Sequence, residues 1–140
     1  MPDVYDQNKR STVMRAVHSS HTKPEAAVQQ ALNSLGYDFH LHRQDLPGKP
    51  DIVLPEHRKI IFVHGCFWHQ HPGCKAAARP QSNIDYWNKK LDRNSQRDKE
   101  HIAMLEASSW EVLIVWECET RNQELLRQTL TRFIENNNDA

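Results

Sequence analysis

The chain has 140 residues, and its 18 basic and 18 acidic side chains give a formal net charge of zero. With 26% charged and 38% hydrophobic residues, the composition is typical of one globular domain and says nothing about binding partners. No run of about 18 apolar residues is long enough to span a membrane, and Met1 to Arg10 is too polar for a signal peptide. We therefore expect an intracellular, cytoplasmic protein with no membrane partner.

The N-terminal segment has no core pattern of its own. Its first seven residues show no periodicity, whereas the next ten carry Met14 and Val17 one helical turn apart among basic side chains. This pattern predicts a short basic helix, which either docks on the surface or closes over an anionic ligand such as DNA. We expect residues 1–20 to form an arm and residues 21–140 to form one folded domain.

A helix is predicted to follow this arm. The segment from Thr22 to Glu25 has the form of a capping box, with Thr22 as the N-cap and Pro24 in the first turn. Gly36 ends the predicted helix. Glu25 therefore has two candidate roles, as a capping residue and as a member of a catalytic site. The inward stripe consists of Ala27, Val28, Ala31, Leu32 and Leu35.

Three strands are predicted next. Residues 37–41 alternate like an edge strand, and the Pro- and Gly-containing residues 46–50 break the chain. Residues 51–54 and 60–63 then form a tight antiparallel hairpin, and the second of these is a β-branched run typical of burial on both faces. In a hairpin the start of one strand lies beside the end of its partner, so the first side chain, Asp51, is expected next to the residues that end the second strand.

Those residues begin a loop that is rich in metal-ligand types. Five such side chains occur within eleven residues: His64, Cys66, His69, His71 and Cys74. We predict a structural zinc site with the ligands Cys66, His71, Cys74 and Cys118. The alternative is three buried or idle thiols with surface histidines. Phe67 and Trp68 lie in the same loop, and they either join the core or project as a wedge that inserts between bases.

A long helix is predicted from Asn83 to Ala107, with Ser82 as its N-cap. Its apolar stripe consists of Ile84, Trp87, Leu91, Ile102 and Leu105. Continued through the polar middle of the helix, this stripe includes Asp98, and a carboxylate on a buried face is a site candidate. The alternative is that Asp98 turns to solvent. The stretch from 75 to 101 holds seven basic residues against four acidic ones, which predicts a basic face.

The strongest strand pattern covers residues 111–116, which are apolar on both faces and are therefore predicted to be central. Since a strand reached through a long helix is normally parallel to its predecessor, Cys118 should arrive beside Cys66. A closing helix is predicted from its apolar stripe, Leu125, Leu126, Leu130, Phe133 and Ile134. The predicted fold is α/β, with a mixed central sheet flanked by helices.

The expected site chemistry is phosphodiester hydrolysis. Asp51 suits a hard cation such as Mg²⁺, whereas the thiolates suit zinc. His69 is held between the predicted zinc ligands and can serve as a general base on water, with Asp98 orienting its ring. His64 and Glu25 are expected at the same edge of the sheet.

Together, five motifs resemble the very short patch repair (Vsr) family of DNA mismatch endonucleases. They are Asn8-Lys9-Arg10-Ser11 with Met14-Arg15, Leu46-Pro47-Gly48-Lys49-Pro50-Asp51, Phe62-Val63-His64-Gly65-Cys66-Phe67-Trp68-His69, Arg97-Asp98, and Val112 to Cys118. The resemblance covers roughly residues 3 to 120. It implies a restriction-endonuclease-like core that nicks one strand at T:G mismatches, the lesion left when 5-methylcytosine deaminates.

The resemblance also implies roles for individual residues. Asp51 and the main-chain carbonyl of Val63 would hold Mg²⁺, and His69 would be the general base. Phe67, Trp68, Trp87 and Met14 would contact DNA beside the mismatch. Two departures from the family occur: Val63 stands where the family commonly has threonine, and an extra residue precedes Cys74. The implied setting is a monomer at the nucleoid, acting on double-stranded DNA with mismatch-repair or methyltransferase-linked partners.

Two alternatives remain open. The chain could be a nicking or restriction endonuclease of the same fold with a different DNA target. It could also be a non-catalytic, zinc-stiffened DNA-binding module in which His69 and Asp98 are only structural.

Overall fold

The computed structural model describes residues 23–136, which form one mixed sheet of four strands with three α-helices packed around it. The predicted arm, the basic helix with Met14 and the cap at Thr22 lie outside the described residues. The helices are α1 (Lys23–Leu35), α2 (Ile84–Ala107) and α3 (Gln123–Glu135). The strands are β1 (His40–Leu41), β2 (Ile52–Leu54), β3 (Lys59–His64) and β4 (Glu111–Trp116).

The strands lie in the order β1-β2-β3-β4. The predicted hairpin is confirmed, because β2 and β3 pair antiparallel with Ile52 opposite Ile61. The predicted crossover is confirmed as well, because α2 connects β3 to β4 and the two strands are parallel, with His64 beside Trp116. The ends of β3 and β4 therefore reach the same edge of the sheet.

The prediction that residues 111–116 form a central strand is wrong. Within residues 23–136, β4 pairs only with β3 and forms one edge of the sheet. An apolar run indicates that both faces of a strand are covered. Helices cover both faces of β4 here. It carries no information about whether a further strand pairs along the open edge.

Alternating side chains of the sheet point into two separate cores. One core lies under α1 and α3 and includes Ile52, Leu54 and Ile61 from the sheet. The other lies under α2 and includes the intervening residues Val53 and Ile60. Burial on both faces explains why β2 and β3 are almost uniformly apolar. Among residues 23–136, no helix has both the length and the apolar character that crossing a membrane requires.

The helix ends agree only in part with the predictions. Gly36 ends α1 as predicted, with φ of +85° and its N–H bonded to Asn33. At the start of α2 the N-cap is Asn83, in a left-handed conformation, instead of the predicted Ser82. Ile84 was predicted to face the core but is exposed. The first turn of α2 does not reach the core that the rest of this helix covers.

Candidate active site and metal centre

A cavity of about 770 Å³ opens at the sheet edge where β3 ends. It lies between the first turn of α1, the start of β2, the loop after β3 and the middle of α2. All five predicted catalytic side chains line it, together with Val63: Glu25, Asp51, His64, His69 and Asp98. Elements separated by up to about half of the chain therefore contribute to one chamber.

Asp51 lies just before β2, where the hairpin places it beside the end of β3. The main-chain N–H of Val63 donates a hydrogen bond of 2.7 Å to Oδ2 of Asp51. Burial raises the pKa of Asp51, while this N–H and the nearby imidazoles of His42 and His69 act in the opposite direction. The carboxylate is therefore held in place but lacks the solvation that an isolated charge needs.

Glu25 projects from the first turn of α1 toward Asp51, and only 2% of the residue is exposed. Burial and the neighbouring charge of Asp51 raise the pKa of Glu25 to about 8, partly offset by a hydrogen bond from Gln29. Its carboxylate also contacts Nε2 of His42. The sequence reading missed His42. The sequence could have indicated this residue through strand register, because pairing β1 with β2 puts His42 opposite Asp51.

His69 and Asp98 form a direct pair. Nδ1 of His69 donates to Oδ2 of Asp98 at 2.6 Å, and both side chains are half-buried. The alternative in which Asp98 turns to solvent is therefore wrong. The pair joins the loop after β3 to the middle of α2.

His64 ends β3, and only 5% of the residue is exposed. Its ring stacks on His69 with the centroids 3.8 Å apart and the planes 9° from parallel. Burial is the main reason that the pKa of His64 falls to about 4, and the charge of His69 adds to the effect. Nδ1 of His64 has no hydrogen-bond partner among the described residues. This ring is therefore a neutral neighbour of the pair.

The four predicted zinc ligands converge beside this chamber. Cys66, His71, Cys74 and Cys118 each offer a ligand atom, and these atoms lie within 4.8 Å of one another. Nδ1 of His71 lies 3.6 Å from Sγ of Cys66 and 3.5 Å from Sγ of Cys118. Tetrahedral bonds of about 2.3 Å to sulfur and 2.0 Å to nitrogen imply a separation of about 3.5 Å, so the donor set fits a tetrahedral ion.

Cys118 reaches Cys66 through the parallel pairing of β3 and β4, as predicted. Burial raises the pKa of the Cys66 thiol to about 12, so the thiolate that a metal requires is unfavourable there without a positive charge. The four side chains form one cluster, which is the arrangement that the predicted zinc site requires. The extra residue before Cys74 does not prevent it from joining that cluster.

A hydrogen-bonded network that the sequence reading missed attaches this loop to α2. Arg79 donates at 2.8 Å to each of Gln70, Asn88 and Asp92. The amide of Gln70 in turn donates to the main-chain carbonyl of Phe67 at 2.7 Å. The loop that carries His69 is thus fixed to the helix that carries Asp98.

The aromatic residues of the loop form an outward-facing cluster with α2. The ring centroid of Phe67 lies 5.2 Å from that of Trp68 and 5.6 Å from that of Trp87. Trp68 is 47% exposed, so the reading that places it in the core is wrong. A partly exposed aromatic platform beside the chamber is a surface on which a base can stack.

Gly48 brings the loop before β2 against α2. Its φ is +77°, and an added Cβ would lie 2.9 Å from Cβ of His101. A side chain at this position would therefore push the loop away from the helix. His101 also lines the chamber, and the sequence reading did not select it.

These features define what the site can do. One chamber combines a buried and a half-buried carboxylate, an oriented imidazole and a neighbouring soft-ligand cluster. Such an arrangement suits hydrolysis assisted by a cation, with a histidine that receives a proton from water.

Comparison with known proteins gives consistent matches. Residues 2–75 match the family model described as DNA mismatch endonuclease Vsr. The chain is 40% identical to the DNA mismatch endonuclease Vsr of Escherichia coli strain K12, over 96% of this chain and 86% of that protein. It is 44% identical to the type II nicking enzyme V.XorIIP of Xanthomonas oryzae, over 96% of this chain and 98% of that protein. The type II nicking enzyme V.NmeAIP of Neisseria meningitidis is 39% identical, over 100% of this chain and 99% of that protein.

Proposed function

Because the chain belongs to the Vsr family of DNA mismatch endonucleases and is therefore a DNA endonuclease, we propose that it nicks one strand of duplex DNA at T:G mismatches. The reaction is hydrolysis of one phosphodiester bond, with His69 as the general base. The core that carries this site is of the restriction-endonuclease type. The protein acts as a monomer in DNA repair, alongside mismatch-repair or methyltransferase-linked partners.

The observation that supports this mechanism best is the His69–Asp98 pair in the same cavity as Asp51. Asp98 accepts the hydrogen on Nδ1, so Nε2 is the nitrogen that takes a proton from the attacking water. Asp98 also stabilises the imidazolium that forms. His64 stays neutral beside this ring and adds no opposing charge.

The carboxylates of Asp51 and Glu25 fit a divalent cation, because the two acids share one chamber and partial or full burial raises the pKa of each. Val63 contributes its main-chain carbonyl, so valine in place of threonine removes no ligand. When bound, Mg²⁺ supplies Lewis-acid stabilisation of the phosphate and of the leaving oxygen. Asp51 is held for this task by the N–H of Val63.

The soft-ligand cluster holds structural Zn²⁺ through Cys66, His71, Cys74 and Cys118. This assignment is supported by the three sulfur donors and the imidazole, and by separations that fit tetrahedral coordination. Zinc at this position stiffens the loop that carries both His69 and the aromatic platform. The metal would therefore affect catalysis only by fixing the position of this loop.

The target is proposed from the platform of Phe67, Trp68 and Trp87, which acts as a wedge beside the mismatch. Unstacking a mismatched step requires less free energy than unstacking a paired one. An intercalating platform therefore favours a T:G site before any base edge is read. Met14 is proposed to contact the DNA as well, as the family resemblance implies.

Cleavage of matched and T:G duplexes of identical flanking sequence tests the proposal, with each strand labelled separately. We expect nicking of one strand of the T:G duplex only, with Mg²⁺ present and not after its removal. Because EDTA also extracts zinc, a second sample is freed of Mg²⁺ by gel filtration, checked for zinc content and then given Mg²⁺ again. Equal cleavage of matched duplex, or full activity without a divalent cation, would contradict the proposal.

A second candidate is a nicking enzyme that acts on another DNA target. The observation in its favour is that two of the most similar relatives are named type II nicking enzymes. Substrates that vary the flanking bases, each as a matched and a T:G duplex, separate the two functions. Nicking of one flanking sequence regardless of the mismatch would favour this second candidate.

A further inference from the structure

One side chain at the carboxylate site has no role in the proposal so far. His42 follows β1, and its imidazole lies with the carboxylates of Glu25 and Asp51. Each of the three offers a ligand atom, and these atoms lie within 4.8 Å of one another. The three side chains come from α1, from the end of β1 and from the start of β2, so the tertiary fold assembles the group.

The backbone places His42 directly beside Asp51. In the β1–β2 ladder Leu41 is opposite Ile52, so His42 is opposite Asp51 one step further along. The N–H of His42 donates to the main-chain carbonyl of Asp51 at 3.0 Å. His42 also has a φ of +49°, which is unusual for a residue with a side chain.

The chemistry of the group differs from that of an ordinary Mg²⁺ site. Mg²⁺ prefers carboxylates, carbonyls and water, whereas imidazole nitrogen is a ligand for transition metals. The two carboxylates and one imidazole are therefore better matched to an ion that accepts both donor types. Mn²⁺ accepts oxygen ligands as Mg²⁺ does and binds nitrogen more readily.

We propose that His42 is a direct ligand of the divalent cation held by Asp51 and Glu25, and that its imidazole makes the site prefer Mn²⁺ to Mg²⁺. This inference rests on the proposed function only in assigning a divalent cation to Asp51. It adds a third protein side chain to the site and states which ion the site selects. In the competing arrangement, His42 would act only as a partner of the Glu25 carboxylate.

Electron spin-echo spectroscopy of Mn²⁺ bound to the full-length protein distinguishes these arrangements. We expect modulation from a directly coordinated nitrogen, which changes in frequency when histidine is labelled with ¹⁵N. His42→Gln should abolish this modulation, because it removes the imidazole while leaving an amide that can bond to Glu25. His40→Gln replaces an exposed histidine of the same strand and should leave the modulation unchanged.

Calorimetric titrations of the same proteins measure the preference. We expect His42→Gln to weaken Mn²⁺ binding by about tenfold or more and Mg²⁺ binding by less than about threefold. His64 and His69 line the same chamber, so only loss of the coupling on substitution assigns it to His42, and His42→Asn replaces His42→Gln if the latter fails to fold. Absence of nitrogen coupling in the wild type, or its persistence in a folded His42→Gln protein, would overturn the proposal.

The inference and the proposed function can fail separately. A wild-type protein that nicks T:G duplexes but shows no nitrogen coupling to Mn²⁺ would remove His42 from the ligand set and leave the activity intact. Conversely, a protein with the coupling but without mismatch-dependent nicking would retain the cation site and lose the proposed target.

Discussion

His69 and Asp98 form the pair on which the proposed mechanism depends, and their geometry determines which ring nitrogen can act. A histidine is effective as a base when one nitrogen is fixed and the other can accept a proton. The 2.6 Å bond to Asp98 fixes Nδ1, and the stacked ring of His64 limits rotation of the imidazole. The two side chains are therefore ordered before substrate binds.

We expect His69→Ala to reduce the rate of T:G nicking by about 10²- to 10⁴-fold, because general-base catalysis is lost. Binding of the T:G duplex should change by less than about threefold. Single-turnover cleavage and fluorescence anisotropy measure the two quantities. Unchanged cleavage would exclude His69 as the base and favour the non-catalytic reading of the pair.

Two matched variants accompany this measurement. Asp98→Asn retains a hydrogen-bonding group but cannot stabilise an imidazolium, so we expect it to lower the nicking rate by at least about tenfold. His57→Ala replaces an exposed histidine on the turn between β2 and β3 and should have no effect. Equal losses in all three variants would indicate a folding defect.

The loop between β3 and α2 is attached to neighbouring elements of the fold at two places. The proposed zinc site would tie it to the end of β4 through Cys118, and Arg79 ties it to α2. A loop of this length has little core of its own, so these attachments determine where His69 and the aromatic platform lie. Structural metal sites contribute directly to the free energy of folding.

We expect Cys118→Ser to lower the bound zinc and to destabilise the whole protein, with a fall in Tm of about 10 °C or more. Loss of one of four ligands removes the clamp between the loop and β4. Mass spectrometry of bound metal and thermal unfolding provide the measurements. His69→Ala is the matched control, because His69 lies in the same loop but outside the ligand set, and it should keep its zinc.

If Cys118→Ser retained both wild-type Tm and wild-type zinc content, the four-ligand assignment would be wrong. A loss of zinc without any change in Tm would separate the metal from stability. It would also contradict the proposed structural role.

Burial of the site links the stability of the whole protein to pH. His64 has a pKa of about 4 in the folded protein, against an ordinary value of 6.5, because it is buried. The unfolded chain therefore binds more protons between these two values. His64 contributes stability that is complete above about pH 6.5 and is lost as the pH falls toward 4.

We expect the free energy of unfolding of His64→Phe, relative to wild type, to rise by about 2 to 3 kcal/mol between pH 7 and pH 4.5. Phenylalanine fills the same space beside Phe62 and does not titrate. Urea unfolding at several pH values measures the difference. His57→Gln, at an exposed position, should follow the wild-type profile, and a His64→Phe profile parallel to wild type would contradict the linkage.

The sequence by itself determined the elements and much of the site. Apolar periodicity predicted α1, α2 and the hairpin, and the hairpin alone was enough to place Asp51 beside Val63. The parallel crossover then brought Cys118 to Cys66. These inferences succeed because they depend on local periodicity and on a small number of topological rules.

Only the tertiary structure decided the edge position of β4, the Arg79 network and the place of His42. An apolar run records that helices cover the faces of a strand, and it does not record which neighbours pair along the strand's edges. The partners of Arg79 lie on a helix whose rotation follows from core packing. His42 meets Glu25 because α1 docks over the first strands of the sheet, and such a contact depends on how whole elements pack together.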